Sequence, residues 1–95
     1  MNVNVAKSVY KDAEKVPKHI RELIDEQIGI LENAESLSDV PNIYKIQGIT
    51  EPYYRLKFSA YRFMMYYDEG ANILQILLLT HRKDTYKKHN LPWQR

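Results

Sequence analysis

Tyr54-Arg55-Leu56-Lys57-Phe58 is the stretch that decides the fold, because bulky apolar residues alternate there with cations. Successive side chains of a β-strand point to opposite faces, so this strand has an apolar face and a basic face. We expect Tyr54, Leu56 and Phe58 to face a hydrophobic core. Arg55 and Lys57 then lie on the other face, where they would attract a polyanion.

The next strand, predicted over residues 61–67, continues the pattern. Arg62 alternates with apolar and aromatic residues there, so one sheet face is expected to carry Arg62 together with Arg55 and Lys57. The two strands are separated only by the pair Ser59-Ala60.

A hairpin and a buried strand are predicted after this pair of strands. Residues 68–72 form the hairpin loop, in which Gly70 is expected to supply a positive φ. Residues 73–79 are apolar on both faces, which is typical of a strand covered on both sides. Residues 82–89 are predicted to form a helical turn or two.

The first half of the chain predicts one strand and two helices. Residues 2–6 alternate like a strand, and Ser8 is placed to cap the helix that follows. Pro17 suits the first turn of a second helix, which ends near residue 34. Its apolar stripe has helical spacing and consists of Ile20, Leu23, Ile24, Ile28 and Leu31.

This order of elements predicts an α+β fold. An N-terminal strand and an antiparallel helix pair pack on one face of a mostly antiparallel sheet of about four strands. A short additional strand is possible over residues 43–46, after a loop at 36–41. The length of 95 residues predicts a single domain, residues 1–95.

Composition and charge narrow the function. The chain has no cysteine, which excludes disulfides and thiolate metal sites and suits a cytoplasmic protein. No signal-peptide pattern is present, and the longest apolar run is too short to span a membrane. Residues 1–44 carry a net charge of −3 and residues 45–95 a net charge of +5. The second half is therefore expected to bind an anion.

The sequence resembles the RelE/ParE superfamily, the bacterial and archaeal toxins of toxin–antitoxin pairs. The resemblance lies in Tyr54-Arg55-Leu56-Lys57, a short turn, Tyr61-Arg62, a hairpin, and then His81-Arg82-Lys83-Asp84-Thr85-Tyr86. The predicted strand and helices of the first half match as well, so the resemblance covers nearly the whole chain. It implies a RelE-like fold.

The resemblance also implies an activity and partners. RelE-type toxins are endoribonucleases that cleave messenger RNA, usually on the ribosome, inhibit translation and use no metal or other cofactor. A cognate antitoxin binds and blocks them in a heteromeric complex. Carried over by position, the catalytic residues are Lys57, Arg62, His81, Arg82 and Tyr86. The residues expected to bind RNA are Arg55, Lys83 and Lys87.

Metal-free RNA cleavage requires a base for the 2′-hydroxyl, an acid for the leaving 5′-oxygen and positive charge around the phosphate. We assign the phosphate to Arg62 and Arg82, whose guanidinium groups present a fork of donors. Lys57 or His81 is the candidate base, because arginine does not readily give up its proton. The remaining roles are base stacking or orientation of the 2′-hydroxyl by Tyr86, and phosphate binding or water-mediated protonation by Arg55.

Two other functions fit the same family. A ParE-like member would inhibit DNA gyrase by contact alone, and a catalytically degenerate member would bind only its antitoxin and operator DNA.

The chain also departs from the family pattern, with Ser59-Ala60 where many relatives have Gly-Asp and with Arg55 where RelE has lysine. The spacing of His81, Asp84 and His89 matches no established metal-ligand pattern.

Overall fold

The structure, a computed structural model, describes residues 1–84 of the chain. Its elements are, in order, β1 (Asn2–Val5), α1 (Lys7–Ala13), α2 (Lys18–Asn33), a 3-10 helix (Leu37–Asp39), β2 (Ile43–Lys45), β3 (Tyr53–Phe58), β4 (Tyr61–Asp68) and β5 (Ile73–His81). Neither helix in this part of the chain is long and apolar enough to cross a bilayer.

All the strands join one sheet in the order β1-β5-β4-β3-β2. β1 pairs parallel to β5, and the other neighbouring strands pair antiparallel. This confirms the predicted α+β fold with a mostly antiparallel sheet. The sheet has five strands rather than about four, because the short β2 pairs along the outer edge of β3.

The main core lies between the helices and one face of the sheet. Ile20, Ile24 and Leu31 of α2 are buried against the side chains of β3, β4 and β5 that face the helices. Leu56 and Phe63 are fully buried in this layer. A large apolar side chain contributes about 1.5–3 kcal/mol when it is buried, so this layer fixes which face each strand turns inward. The predicted apolar stripe of α2 is thereby confirmed.

The predicted cap of the first helix is wrong. α1 begins at Lys7, its N-cap residue is Ala6, and no side chain caps it. The backbone N–H of Ala6 donates to the carbonyl of Ile76 (2.9 Å), so the parallel ladder continues up to the start of the helix. Ser8 therefore lies within the first turn, where its hydroxyl donates to the carbonyl of Leu77 (3.4 Å). Pro17, expected inside the first turn of α2, is its N-cap residue.

The positive φ of the β4–β5 loop lies at Asn72 (φ 53°) and not at Gly70. Asparagine tolerates this conformation better than most residues, and here its side chain is held in place. The hydroxyl of Tyr67 donates to Oδ1 of Asn72 (2.8 Å). The prediction for Gly70 was wrong because a side-chain contact, rather than the absence of a side chain, stabilises the left-handed residue.

A β-bulge separates the two halves of the β4–β5 pair. Met64 lies opposite Leu78, whereas Met65 lies opposite Ile76, so Leu77 is the extra residue. Bulges increase the local twist of a strand and re-aim its side chains. Beyond the bulge, Thr80 pairs with Arg62 and His81 pairs with Tyr61.

A two-residue turn, Ser59-Ala60, connects β3 to β4 and keeps Phe58 opposite Tyr61. Ser59 has a φ of 54°, in the left-handed region that favours glycine, whereas Ala60 is not among the residues with positive φ. The pair thus forms a tight hairpin turn despite its departure from the Gly-Asp of many relatives, at the cost of backbone strain at Ser59.

We predict that Ser59→Gly raises the free energy of unfolding by about 0.5 kcal/mol, because glycine adopts this φ without strain. The matched control is Ala60→Gly, which relieves no strain and should lower the free energy of unfolding by about 0.4–1 kcal/mol. Urea denaturation of both variants measures the effect. A loss of stability in Ser59→Gly as large as that in Ala60→Gly would contradict the assigned strain.

Candidate functional site

The sheet face turned away from the helices carries cations from two adjacent strands. Lys57 on β3 lies directly opposite Arg62 on β4, and Arg55 lies opposite Met64. Leu56 and Phe58, the neighbours of Lys57 along β3, are buried in the core on the other face. The predicted separation of apolar and basic faces is therefore confirmed for this strand pair.

Arg82 joins this group from the end of β5. Its backbone N–H donates to the carbonyl of Ala60 in the β3–β4 turn (2.7 Å), which fixes the chain after β5 beside that turn. Arg82 is exposed, and its charge acts on Arg62. We call Arg55, Lys57, Arg62 and Arg82 the basic cluster.

The turn also anchors the side chain of Arg62. Nη1 of Arg62 donates to the carbonyls of Tyr61 (2.8 Å) and Ser59 (3.2 Å). These two bonds use one guanidinium nitrogen and fix the plane of the group. A held guanidinium is pre-organised, so less side-chain entropy is lost when it binds an anion.

The charge of Arg62 is destabilised by its surroundings. Burial lowers the pKa of Arg62 below its ordinary value, and the nearby charges of Arg55 and Arg82 lower it further. Both effects disfavour the charged form of the guanidinium. An anion placed among these side chains would reverse the electrostatic effect, so the cluster is suited to binding a phosphate.

A small apolar layer lies on the same sheet face as the basic cluster. Met64 and Leu78 are buried there together with Ile46, and Ile49 and Tyr53 pack against them. Residues 46–52, between β2 and β3, thus contribute to covering the centre of this face. Apolar surroundings exclude water and strengthen the electrostatic interactions of neighbouring charges.

His81 does not lie with the basic cluster. It pairs with Tyr61, whose side chain packs against the core on the helix side of the sheet. The two rings meet edge to face, with centroids 5.2 Å apart and planes at 84°. Nδ1 of His81 accepts a hydrogen bond from the backbone N–H of Lys83 (3.2 Å). The ring is therefore placed to support the turn after β5, which includes Arg82.

The other residues singled out in the sequence are spread around this site. Lys83 is exposed in the turn that follows β5. Tyr86 and Lys87 lie outside the described residues, as does most of the predicted helical segment at 82–89. Within residues 1–84, no group of three or more His, Asp or Glu side chains is arranged to hold a metal ion.

Tyr44 is a member of the site that the sequence interpretation missed. It pairs with Arg55 across the β2–β3 ladder and is 46% exposed. Its ring centroid lies 5.6 Å from Cζ of Arg55 and 5.2 Å from Nζ of Lys57, within the range of cation–π interactions. Strand alternation could have identified Tyr44, but only once the pairing of β2 with β3 was known.

A cavity of about 280 Å³ lies at the same edge of the sheet. Lys45, Ile46, Gln47 and Arg55 line it, so it borders both the apolar layer and the basic cluster. The cavity is thus lined mainly by polar and charged residues, one of which, Arg55, pairs with Tyr44.

Comparisons with known proteins point to one family. The chain is 37% identical over 87 residues to Toxin RelE3 of Methanocaldococcus jannaschii, and the match covers 90% of this chain and 96% of that protein. No model of a known protein family matches the sequence.

Chains of solved RelE–RelB complexes have a similar structure. A chain of the RelB–RelE antitoxin–toxin complex from Methanococcus jannaschii matches with a TM-score of 0.72 and 32% identity, covering 88% of this chain and 95% of that one. A chain of the archaeal RelE–RelB complex from Pyrococcus horikoshii OT3 also gives a TM-score of 0.72, with 24% identity and coverage of 85% and 93%. The second likeness supports the fold alone.

We predict that Arg82→Gln raises the free energy of unfolding by about 0.5 kcal/mol at low ionic strength, because it removes a repulsion from Arg62. The gain should shrink toward zero in 1 M salt, where charges are screened within about 3 Å. Urea denaturation at both salt concentrations measures this, with Lys15→Gln, an exposed lysine outside the cluster, as the control. A gain that is the same at both salt concentrations would contradict the electrostatic origin.

Proposed function

The chain belongs to the RelE family of toxins from toxin–antitoxin systems, and we propose that it is an endoribonuclease that cleaves messenger RNA and thereby inhibits translation. The observation that supports this most strongly is the basic cluster, in which Lys57 lies directly opposite Arg62 and Arg55 shares their sheet face. A binding surface for phosphate needs concentrated positive charge of this kind. We propose the ribosome as the place of cleavage and therefore the cytoplasm as the place of action.

The reaction we propose is an internal transesterification. The 2′-oxygen of the RNA forms a bond to the adjacent phosphorus, the bond from phosphorus to the 5′-oxygen breaks, and a 2′,3′-cyclic phosphate remains. The proton of the 2′-hydroxyl must pass to a base, and the leaving 5′-oxygen must gain a proton. All of the groups that carry these steps can come from the protein and water, so the proposal needs no cofactor.

Lys57 is our candidate for the base. Lys57 lies directly across from Arg62 on the neighbouring strand. An RNA phosphate bound to the guanidinium of Arg62 would therefore hold the adjacent ribose 2′-hydroxyl near the amine of Lys57. The amine must be unprotonated to accept the proton of the 2′-hydroxyl. The other candidate base, His81, packs against Tyr61 on the helix side of the sheet. We therefore give His81 the role of positioning the turn that carries Arg82.

Arg62 and Arg82 are proposed to bind the phosphate and stabilise the additional negative charge of its pentacoordinate transition state. The guanidinium of Arg62 is already fixed by the carbonyls of Ser59 and Tyr61, so it needs no reorganisation during the reaction. Arg55 would bind a neighbouring phosphate or orient the water that protonates the 5′-oxygen. We keep Lys83 and Lys87 as contacts to the RNA backbone and Tyr86 as a stacking or orienting residue.

We propose a cognate antitoxin as the protein partner. The matched structures from Methanococcus jannaschii and Pyrococcus horikoshii are both complexes of RelE with RelB. By analogy, this chain would form a heteromeric complex in which the antitoxin suppresses its activity. Such a complex does not distinguish cleavage from gyrase inhibition or from a purely repressive role, so the activity needs its own test.

We predict that expression of the chain without an antitoxin stops the uptake of labelled methionine within minutes, before labelled thymidine uptake falls. Arg82→Ala should abolish this effect, because loss of one charge-stabilising donor slows catalysis by about 10²–10³-fold. Arg21→Ala, on the exposed face of α2, is the control and should remain toxic. Immunoblots of the soluble fraction establish that all three proteins accumulate equally.

An earlier fall in thymidine uptake would favour a gyrase inhibitor over a ribonuclease. If neither uptake falls while soluble protein accumulates, the chain would be a degenerate member that binds its antitoxin without cleaving RNA. Full toxicity of Arg82→Ala would contradict the role we give to Arg82.

A further inference from the structure

Tyr44 stands apart from the other exposed apolar side chains. Among the described residues, the exposed large hydrophobic side chains are those of Tyr10, Ile30 and Tyr44. Tyr10 and Ile30 belong to the two helices, whereas Tyr44 belongs to β2 and pairs with Arg55. An exposed aromatic ring on a sheet edge offers a surface for stacking, and here that surface adjoins the basic cluster.

The charges around Tyr44 indicate the chemistry of its ligand. Arg55 and Lys57 both approach its ring within 6 Å. Proteins that bind single-stranded nucleic acids combine these two elements, with cations that follow the phosphates and aromatic rings on which the bases stack. A ring that served only to fill space would be buried, but this one belongs to neither of the two buried clusters.

The adjoining cavity supplies polar groups for the edge of a base. It measures about 280 Å³ and has Gln47, Lys45 and Arg55 in its lining. This volume is just below the range for ligand pockets, about 300–1,000 Å³, so it suits one planar ring system rather than a larger ligand. The amide of glutamine both donates and accepts hydrogen bonds, as the edges of nucleobases do.

We propose that Tyr44 forms a nucleobase-binding position for single-stranded RNA, in which one base stacks on the Tyr44 ring and its edge lies at the cavity beside Gln47 and Arg55. This inference rests on the proposed function and adds a substrate-positioning residue to it. Nζ of Lys57 is 5.2 Å from the centre of the ring, so the bound base belongs to a nucleotide next to the cleaved phosphate.

The test measures binding of a fluorescein-labelled, single-stranded RNA made non-cleavable by 2′-O-methyl groups, both alone and on programmed ribosomes. We expect Tyr44→Ala to weaken binding about tenfold, which is typical for the loss of one stacked base. Tyr44→Phe keeps the aromatic ring and should bind within about twofold of the unmodified protein. Tyr10→Ala, which removes an exposed tyrosine from the helix layer, is the matched control and should have no effect.

Two further measurements separate stacking from an indirect effect on Arg55 and Lys57. The first replaces single nucleotides by abasic ones, and at one position the effect of Tyr44→Ala should disappear. The second is the dependence of binding on salt. Tyr44→Ala should leave the slope of log K against log salt unchanged, whereas Lys57→Ala should reduce its magnitude by about 0.7, as expected for one lost phosphate contact.

The outcomes distinguish this inference from the function on which it rests. If the unmodified protein binds RNA and Tyr44→Ala binds it equally well, the inference is wrong and the proposed function stands. The inference is also wrong if the loss persists at every abasic position, because Tyr44 would then only hold the cations in place. If the unmodified protein binds neither the RNA nor programmed ribosomes, the proposed function fails together with the inference.

Discussion

The burial of alternate β3 and β4 side chains against α2 is the interaction on which the basic cluster depends. Leu56 and Phe63 are fully buried in that layer, and each contributes about 1.5–3 kcal/mol. Lys57 and Arg62 lie directly opposite each other, at a cost of about 0.2–1 kcal/mol for two like charges. The free energy gained by burying the core side chains is larger than this repulsion, so the core fixes the strand register and holds the cations on one face. A register shift of one residue would move the apolar side chains to the outer face and the cations into the core.

The same arrangement would link stability to the proposed function. Positive charges that repel one another in the free protein would attract a bound polyanion, so part of its binding free energy would come from relieving that repulsion. The anchoring of Arg62 by the carbonyls of the β3–β4 turn adds pre-organisation. The strain at Ser59 and the repulsion within the basic cluster both lower stability locally at the candidate site, as is common where activity conflicts with stability.

Strand alternation predicted from the sequence that Arg55, Lys57 and Arg62 share one sheet face, because the two-residue period of a strand does not depend on how the sheet is packed. The order of the elements predicted the α+β fold, and Arg82 was identified by the family resemblance alone. Local signals did less well. Ser8 does not cap α1, because the ladder beyond β1 continues to Ala6 and makes that residue the N-cap. The positive φ of the β4–β5 loop is at Asn72, held by a hydrogen bond from Tyr67, and not at Gly70. The position of Tyr44 beside Arg55 and the orientation of His81 toward Tyr61 depend on which strands pair and in what register. No local sequence pattern contains that information.

In the mechanism we propose, the basic cluster cleaves RNA by using the 2′-hydroxyl next to the bound phosphate. The most direct test compares two messengers on programmed ribosomes, identical except that one has a single 2′-deoxy nucleotide at the cleavage position. We expect the purified protein to cut the all-ribose messenger, leaving a 2′,3′-cyclic phosphate and a 5′-hydroxyl, and to leave the deoxy messenger intact at that position. Equal cleavage of both messengers, or no cleavage of either, would contradict this mechanism.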